Sequence, residues 1–472
     1  MTVQPCPLRS AAQRWGDAPA WLDGSSRYSW SDWDLSADRM ARALDAHPLS
    51  AGDRVAIQCG NSFEMATLFF AGWRRGLVMC PISTRLPSAT TRALCETVHA
   101  KALITDGQAS SPADAIPLHT LIGDTSQDAS AVHAPTSDEH LATILFTSGS
   151  TGLPKAICHR LSSHLSSAAA SNENLPFGPE HRWMLSLSLC HVGGLAILLR
   201  AALGGGAVVA PPHGLSIDHA VPQYAITHLS VVATQLSRLV SALPTAPAHL
   251  EAVLAGGGPF PEALLREAYE GGYPLLTTYG ATETGSQVCT TAPHAPLEHL
   301  SSAGAPLHGW EVRVGADEEI QVRGPALLAG KWVDGTLQPA VREDGWYGTG
   351  DVGRFTDDGR LVIAGRIDQM FISGGENIHP EEIERVLLAF PNVAQTLVVP
   401  VPDSAYGERP VAFIRWLAGA RADEQDLRSW AERHLPRFKL PTLYLSWPED
   451  LRDTDWKISR ADFAQRARDA RE

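Results

Sequence analysis

Short apolar, β-branched runs alternate with longer amphipathic segments over the first 300 residues of the chain. Residues 53–59 (DRVAIQC) predict a strand, and residues 64–73 (EMATLFFAGW) predict a largely buried helix. Residues 207–210 (AVVA) and 229–232 (LSVV) continue the alternation. Strands that alternate with helices form parallel sheets with helices on their faces, so this part of the chain predicts layered α/β subdomains.

The pattern changes near residue 304. Short strands at 311–314 and 319–323 are separated by Gly, Asp and Pro turns, which predicts a small β-barrel or meander over 304–367. A new series of helices and strands follows, which predicts a small α+β C-terminal domain over 368–472 and a large N-terminal domain over 1–367. The predicted C-terminal elements are a helix at 379–388, strands at 395–399 and 410–416, and a helix at 424–434.

A chain of 472 residues is longer than one hydrophobic core usually serves, which agrees with two or more domains. Its 44% hydrophobic and 19% charged residues are typical of a globular enzyme. With 38 basic and 52 acidic residues the net charge is −14, and no basic cluster stands out, so nucleic acid is not an expected partner. The quaternary state stays open, and a homo-oligomer is compatible with the sequence.

The N-terminus lacks a basic segment followed by an apolar run, and no stretch approaches the ~18 apolar residues of a membrane helix. We therefore expect neither a secretory signal nor a membrane span. The seven cysteines are scattered and form no Cys-x-x-Cys pair. This usage predicts small apolar thiols in a reducing cytoplasm rather than disulfides or zinc ligands.

The segment 147–155 (TSGSTGLPK) is rich in hydroxyl groups and follows an apolar, β-prone run at 141–146. Glycines let consecutive N–H groups converge on phosphate oxygens, and hydroxyls and a lysine add donors and positive charge. The residues concerned are Thr147, Ser148, Gly149, Ser150, Thr151, Gly152 and Lys155. The alternative is a polar surface turn. The Walker spacing is absent, because only two residues separate the glycines and Pro154 precedes the lysine.

This loop resembles the phosphate loop of the acyl-adenylate-forming superfamily, which includes acyl-CoA synthetases, luciferases and the adenylation domains of peptide synthetases. Four further motifs occur downstream in the order found in that superfamily. The resemblance implies an enzyme that uses ATP, Mg²⁺ and coenzyme A to activate a small carboxylic acid.

Two of these motifs correspond to adenine and magnesium sites in the superfamily. In 254–259 (LAGGGP), Gly257 and Gly258 match the adenine position, although a tight strand-to-helix turn explains them equally well. In 277–284 (TTYGATET), the ring of Tyr279 suits stacking and Glu283 offers a carboxylate for Mg²⁺ on ATP. The same motif assigns Thr278, Gly280 and Thr282 to the nucleotide. A capped helix start is the alternative explanation.

The third motif, 345–351 (GWYGTGD), ends in Asp351, which by resemblance binds the ATP ribose with the help of Arg366. The alternative is an aspartate in a β-turn. The fourth motif contains Lys457, which matches the lysine of the superfamily's adenylation step, although a lone lysine near a terminus is usually solvated. Trp456 stands where relatives have glycine, a departure that concerns the local backbone.

Two more segments resemble parts of the acyl and thiol sites. Residues 371–378 (FISGGENI) resemble the loop that lines the pantetheine tunnel, where Gly374 and Gly375 let the thiol arm pass. Residues 186–194 (SLSLCHVGG) resemble the strand of the acyl pocket, which ends in a histidine, here His191, near the reacting carboxylate. A structural role for His191 is the alternative.

Within the superfamily, the chain is most similar to the o-succinylbenzoate–CoA ligases of menaquinone biosynthesis. The similar segments are Thr147–His159, Leu185–Gly194, Thr234–Val240, Phe371–Glu384 and Lys457–Arg460. The substrate of those ligases has two carboxylates, and one must be anchored while the other reacts. Arg238, on a predicted helix at 235–243, is the candidate anchor, with a solvated arginine as the alternative. His191 and Ser286 are further candidates for the pocket.

The resemblance implies two steps: formation of an acyl-adenylate with release of pyrophosphate, and transfer of the acyl group to coenzyme A. Lys457, the 147–155 loop and Mg²⁺ at Glu283 would offset the like charges of the first step. Rotation of the C-terminal domain about a hinge at Asp368 would prepare the second. The alternatives are another aryl- or acyl-CoA ligase acting on a benzoate-like acid, an enzyme loading a carrier protein, and a non-catalytic adenylate-binding protein. A buried cation in the pocket would favour the dicarboxylate.

Overall fold

The computed structural model describes residues 6–24, 26–107, 115–122, 140–147, 154–417, 419, 423–448 and 460–470. It shows mixed α/β architecture with a large N-terminal and a small C-terminal part, as predicted from the sequence. The chain divides into two compact units. The first comprises Met1–Gly258, Ala268–Glu311 and Val322–Tyr347, and the second comprises Pro259–Glu267, Val312–Gln321 and Gly348–Glu472.

The described ranges contain α-helices in both units of the chain. They are α1 (Pro7–Trp15), α2 (Trp30–Ala43), α3 (Phe63–Arg74), α4 (Ser88–Thr97), α5 (Leu161–Asn174), α6 (Val192–Gly204), α7 (Ile217–Gln223), α8 (Ala233–Ala242), α9 (Glu262–Glu270), α10 (Pro380–Leu388), α11 (Glu424–His434) and α12 (Arg460–Asp469).

The strands up to residue 290 are β1 (Pro19–Asp23), β2 (Ser26–Ser29), β3 (Arg54–Gln58), β4 (Val78–Pro81), β5 (Ala102–Thr105), β6 (Ile116–Pro117), β7 (Leu141–Thr147), β8 (Lys155–Arg160), β9 (Arg182–Met184), β10 (Ala207–Ala210), β11 (His228–Val231), β12 (Ala252–Ala255), β13 (Leu275–Ala281) and β14 (Ser286–Thr290). Those that follow are β15 (Ala305–Pro306), β16 (Glu311–Val314), β17 (Glu319–Arg323), β18 (Gly330–Val333), β19 (Thr336–Gln338), β20 (Tyr347–Phe355), β21 (Leu361–Arg366), β22 (Phe371–Ser373), β23 (Glu376–Ile378), β24 (Val393–Asp403), β25 (Gly407–Trp416) and β26 (Leu443–Ser446).

The first unit contains a nine-stranded sheet in the order β15-β14-β13-β12-β11-β9-β10-β1-β2. Its strands from β13 to β1 run parallel, and antiparallel strands close both edges. Strands β10 and β12 are short apolar runs, and these two strands are buried over nearly their whole length, as is β11, which also carries His228 and Ser230. Such uninterrupted runs are typical of parallel strands that are covered on both faces, which is why the sequence pattern predicted them correctly.

The same unit contains an eight-stranded sheet in the order β19-β18-β8-β7-β4-β3-β5-β6. Its parallel core shares one hydrophobic cluster with the nine-stranded sheet, since Trp21 of β1 and Met79 of β4 both belong to it. Helix α3 is buried on nearly all sides within this cluster, as predicted. Gly72 permits this packing, because a Cβ at that position would lie 2.2 Å from the sulfur of Met79.

Three different sheets take up the strands of the range 304–367, because β15 belongs to the nine-stranded sheet. Strands β16, β17, β20 and β21 form a four-stranded sheet in that order. The hairpin of β18 and β19 joins the eight-stranded sheet instead, where Gly330 is the register partner of Cys158 in β8. Hydrogen bonds to a distant strand decide this pairing, and the local alternation of residues does not reveal them.

The C-terminal part of the second unit is built on the long antiparallel pair β24 and β25, which β26, β22 and β23 extend. Helices α10 and α11 cover one apolar cluster of this sheet, and α12 covers another. Helix α10 starts with Pro380 and carries two glutamates in its first turn, which suits the N-terminal end of a helix dipole. The predicted helices at 379–388 and 424–434 are confirmed to within one residue.

The seven cysteines are free thiols, and five of them are buried. Burial raises the pKa of both Cys158 and Cys289 to about 12, so these thiols stay protonated at neutral pH. They act as small apolar side chains, as predicted. Among the helices that the structure describes, none combines the length and apolar character needed to cross a lipid bilayer.

Candidate active site

The segment predicted to be the phosphate loop connects two antiparallel strands, β7 and β8. Strand β7, buried along most of its length, ends at Thr147, and β8 begins at Lys155, and these two residues are cross-strand partners. The loop of residues 148–153 between them, with Ser148, Gly149, Ser150, Thr151 and Gly152, lies outside the described residues. Lys155 is exposed at the mouth of the hairpin. A hydroxyl and an ammonium group therefore flank the loop on either side.

Glu283 lies on a tight 3₁₀ turn, Thr282–Thr284, at the end of β13. Thr284 closes the turn, because its hydroxyl accepts a hydrogen bond from the N–H of Ala281 at 2.9 Å. The carbonyl of Glu283 accepts from the N–H of Leu328 at 2.8 Å. Its half-buried carboxylate makes no ion pair or side-chain hydrogen bond with any described residue, so its oxygens are available as ligands.

A single available carboxylate fits magnesium that arrives on ATP. Mg²⁺ keeps several waters and binds to one or two carboxylates and to substrate phosphates, rather than to a cage of protein ligands. Consistent with this, the described ranges contain no group of three or more His, Cys, Asp or Glu side chains that could hold a metal ion. The donor at Glu283 is also the hard oxygen that Mg²⁺ prefers.

Hydrogen bonds from His159 and from helix α5 hold the turn of Glu283 in place. The Nε2–H of His159 donates to the carbonyl of Thr282 at 2.7 Å, and the hydroxyl of Ser167 donates to the carbonyl of Gly285 at 2.9 Å. Burial lowers the pKa of His159 to about 4, so the ring is neutral. The sequence pattern gives no sign of this role for His159, because the partner of a polar residue in an apolar strand is decided only in the folded chain.

The glycines assigned to adenine differ in what they do. Gly257 has φ +83°, which favours glycine, and no described atom lies within 4 Å of a Cβ placed on Gly258. The backbone at Gly258 is therefore open to a ligand. Gly280 is needed for a structural reason, because a Cβ there would lie 1.7 Å from the carbonyl oxygen of Ser286. It lets β13 and β14 approach each other at a bulge.

Thr278 and Tyr279, which precede Gly280 on β13, leave few groups available to a ligand. The hydroxyl of Thr278 donates to the carbonyl of Cys289 at 2.8 Å. Tyr279 is 9% exposed, so little of its surface is available for stacking. The nucleotide roles of Thr278, Tyr279 and Thr282 stay predictions.

Asp351 and Arg366 are register partners on β20 and β21 in the second unit. Nη1 of Arg366 lies 3.1 Å from Oδ1 of Asp351, and Nε of the same guanidinium lies 2.8 Å from Oδ1 of Asp368. Asp351 thus belongs to a strand rather than to a β-turn, and it is 9% exposed. One arginine links the predicted ribose carboxylate to the predicted hinge residue.

Gly374 and Gly375 form the turn between β22 and β23, with φ of +62° and +87°. A Cβ on Gly374 would lie 2.8 Å from the ring of Tyr406, whereas no described atom lies within 4 Å of one on Gly375. The N–H of Gly374 also donates to the carbonyl of Tyr406 at 2.9 Å. Gly374 therefore packs against the protein, and Gly375 leaves the backbone open.

The segment before His191 is not a strand, which corrects the expectation for 186–190. Only Arg182–Met184 is extended, and His191 is the residue immediately before α6. The side chain of Asn61 explains the difference. Its amide donates to the carbonyl of Leu187 at 2.8 Å and accepts from the N–H of Leu189 at 2.9 Å, so these backbone groups do not pair with a strand.

Arg200 is a buried arginine that the sequence analysis missed. It lies on α6, is 1% exposed, and its guanidinium lies 5.0 Å from the ring of Trp183. Nη2 donates to Oε1 of Gln287 at 2.8 Å and to the hydroxyl of Ser286 at 3.3 Å. Its Nε has no partner, and no acidic side chain of the described ranges pairs with it. The available signal was an arginine within the apolar run 195–202 (LAILLRAA).

The surroundings of Arg200 have two features of a functional site. Burial lowers the pKa of Arg200 to about 10, which still leaves the guanidinium charged at neutral pH. Ser286 has φ +129°, a conformation that costs a non-glycine residue about 1–3 kcal/mol. By contrast, the predicted anchor Arg238 is exposed on α8.

This fold and this arrangement of residues define an enzyme that forms acyl-adenylates. The chain belongs to the AMP-binding enzyme family: the family model matches residues 8–332, and the model of the AMP-binding enzyme C-terminal domain matches residues 382–454. The resemblance stated from the sequence motifs is confirmed.

The chain is similar to proteins named 2-succinylbenzoate–CoA ligase. It is 35% identical to that of Salmonella typhimurium over 98% of both chains, and 30% identical to that of Bacillus subtilis over 94% of both. Among solved structures, it resembles o-succinylbenzoate CoA synthetase of Bacillus subtilis with its acyl-adenylate intermediate, with a TM-score of 0.90, 28% identity and 98% of both chains covered. The complex of that enzyme with ATP and magnesium gives a TM-score of 0.88 and 29% identity, covering 97% of this chain and 99% of the other.

Proposed function

We propose that this chain is an AMP-forming acid–thiol ligase that activates 2-succinylbenzoate with ATP and transfers the acyl group to coenzyme A in menaquinone biosynthesis. The names of its relatives support this function. The observation that carries the choice of acid is Arg200, a buried guanidinium without an acidic partner in the described ranges. A substrate with a second carboxylate would complete this site.

The reaction needs ATP because a carboxylate oxygen is a poor leaving group. In the first step a carboxylate oxygen of the acid attacks the α-phosphorus of ATP, and pyrophosphate leaves. In the second step the thiol of coenzyme A loses its proton, its sulfur attacks the acyl carbon, and AMP leaves. The first step brings two anions together, so positive groups must offset their repulsion.

The residues proposed for the first step lie on the phosphate-loop hairpin and on the turn after β13. Lys155 and the hydroxyls of 147–151 would bind phosphate oxygens, and Glu283 would hold Mg²⁺, which neutralises phosphate charge. Lys457, which lies outside the described residues, is proposed to act on the same charges. His191 at the start of α6 is proposed to lie near the reacting carboxylate.

Arg200 is proposed to bind the carboxylate that does not react, together with Ser286. A buried ion pair is screened little by solvent, and charge-assisted hydrogen bonds are about twice as strong as neutral ones. Arg238 is exposed, so solvent would screen its charge more strongly. A benzoate-like acid has no second carboxylate and would leave the charge of Arg200 without a counterion, which is costly in a buried site.

For the remaining roles, Asp351 is proposed to bind the ribose with Arg366, and Asp368 is proposed to be the hinge between domains 1–367 and 368–472. Gly375 is proposed to border the path of the coenzyme A thiol in the second step, and Gly374 is proposed to support it in the same turn. Because ATP and coenzyme A are metabolites of the cell interior, we also propose a cytoplasmic enzyme.

The proposal is tested by measuring pyrophosphate release from ATP in the presence of Mg²⁺ with a panel of acids that contains 2-succinylbenzoate, each of its two monoesters and benzoate. The free dicarboxylate is expected to give the highest kcat/KM, followed by AMP release that depends on coenzyme A. An equal rate with one of the monoesters or with benzoate would indicate another aryl-CoA ligase. No pyrophosphate with any acid would contradict the whole proposal, and transfer only to a carrier protein would contradict coenzyme A as acceptor.

A further inference from the structure

His159 connects β8, the strand that follows the phosphate loop in the chain, to the turn that carries Glu283. It is on β8, four residues beyond Lys155, and is completely buried. Its Nε2–H donates to the carbonyl of Thr282, the residue before Glu283, at 2.7 Å. These partners are 123 residues apart in the chain.

Further contacts make this link rigid. His159 is the register partner of Thr143 on β7, and the hydroxyl of Thr143 lies 2.8 Å from Nε2 of His164. The rings of His159 and His164 pack with their centres 4.9 Å apart. Since Ser167 holds the carbonyl of Gly285 at 2.9 Å, the turn that carries Glu283 is tied at both of its ends.

We propose that His159 is a positioning residue for the magnesium carboxylate: it holds the Glu283 turn at a fixed place relative to the phosphate-loop hairpin, so that both act on one nucleotide. The inference rests on the proposed function. Mg²⁺ needs near-ideal octahedral geometry with oxygens at about 2.0–2.1 Å, so a small displacement of the carboxylate weakens binding. Loss of a partner outside the ligand shell typically costs about 10- to 100-fold in metal affinity or activity.

A purely structural role is the competing explanation, because a carbonyl in the protein interior needs a donor wherever it lies. His249 provides a comparison in the same unit. Its Nε2 lies 3.1 Å from the carbonyl of Val221, so it also joins two segments through a carbonyl, and Val221 is not part of the proposed site. The two roles predict different results: only replacement of a positioning residue should change the amount by which Mg²⁺ increases the affinity for ATP.

The test measures ATP binding by titration calorimetry with and without Mg²⁺ and without any acid, so no turnover is involved. His159→Phe is expected to reduce the gain in affinity due to Mg²⁺ by about tenfold or more, while leaving metal-free ATP binding unchanged. His159→Gln, whose amide nitrogen can replace Nε2, is expected to restore the gain. His249→Phe is expected to keep it.

Kinetics provide a second readout. In His159→Phe, the Mg²⁺ concentration for half-maximal pyrophosphate release is expected to rise about tenfold or more, whereas thiolation of pre-formed acyl-adenylate stays at the wild-type rate. A purely structural defect would slow both half-reactions together. If wild-type protein binds ATP more tightly with Mg²⁺ but releases no pyrophosphate, the proposed function fails while the calorimetric test of His159 still stands.

An equal gain from Mg²⁺ in His159→Phe and His249→Phe would overturn the inference. If His159→Phe does not fold, judged by circular dichroism, His159→Gln is compared with His159→Asn, whose amide is one methylene too short to reach the Thr282 carbonyl. The increase in ATP affinity due to Mg²⁺ is then expected to be retained in His159→Gln and to be smaller in His159→Asn. Equal gains in these two variants would also overturn the inference.

Discussion

The guanidinium of Arg200 and the hydroxyl of Ser286 lie 3.3 Å apart, although 86 residues separate them in the chain. Helix α6 supplies the charge and strand β14 supplies the hydroxyl. Ser286 holds its position in a backbone conformation that favours glycine. A buried charge and a strained residue, both of which cost stability, occur together, which is typical of a binding site.

Replacement of Arg200 tests its role as the carboxylate anchor. Arg200→Met is expected to raise the KM for 2-succinylbenzoate roughly 10- to 150-fold, which corresponds to about 1.5–3 kcal/mol for hydrogen bonds to a charged group. The KM for ATP should not change, which steady-state pyrophosphate assays with each substrate varied will show. Arg238→Met is the matched control, and a larger effect there would return the anchor to Arg238.

The same variant should also be more stable without ligand. Arg200→Met removes a buried charge that lacks an acidic partner in the described ranges, and a hydrophobic side chain of similar length refills the space. The thermal midpoint is expected to rise by about 2 °C or more, as measured by calorimetry. A lower midpoint would mean that Arg200 mainly supports the fold.

Lys457 is expected to act in the first half-reaction alone. Lys457→Ala should slow acyl-adenylate formation by about 100-fold or more, because it removes a positive charge from the reacting anions. Thiolation of pre-formed acyl-adenylate should continue at the wild-type rate. Single-turnover assays of each half-reaction measure this, with the exposed Lys101→Ala as control. Equal losses in both halves would contradict the assignment.

Asp351 is expected to affect the nucleotide and not the acid. Asp351→Asn weakens acceptance of hydroxyl protons and the contact with Arg366, so the KM for ATP should rise roughly tenfold or more. The KM for 2-succinylbenzoate should stay the same in the same assays. Asp358→Asn changes an exposed aspartate between β20 and β21 and is the control. Similar effects of both substitutions would remove Asp351 from the ribose site.

His228 is expected to make the first unit acid-sensitive. Burial lowers its pKa to about 3 from an ordinary 6.5, so between these values the unfolded chain binds a proton that the folded chain does not. The contribution of neutral His228 to the free energy of unfolding is therefore fully present above pH 6.5. Below that pH, the contribution falls by about 1.4 kcal/mol per pH unit. Thermal midpoints at pH 7 and pH 5 should differ less in His228→Gln than in the wild type. The exposed His434→Gln is the control, and an unaltered difference in His228→Gln would refute the prediction.

The sequence pattern correctly predicted the elements whose structure depends mainly on their own residues. Helix α3 is apolar on nearly every side, and such a helix is expected to be buried. The start of helix α10 is predicted by Pro380 and by two glutamates in its first turn. The apolar run at 141–146 correctly predicted a strand that is buried over most of its length and ends at Thr147. The expected strand at 186–190 was wrong, because Asn61, from a different part of the chain, binds the backbone of those residues.

The sequence by itself determined the α/β class, the order of the motifs and hence the family, because each depends on residues that are close together in the chain. Only the tertiary structure decided that Arg200 is buried beside Ser286, that His159 reaches Thr282, and that Arg366 bridges Asp351 and Asp368. The first two of these contacts join residues 86 and 123 positions apart, which no local pattern encodes. Burial then changes the energy of a charge or a hydrogen bond, and burial is a property of the folded chain.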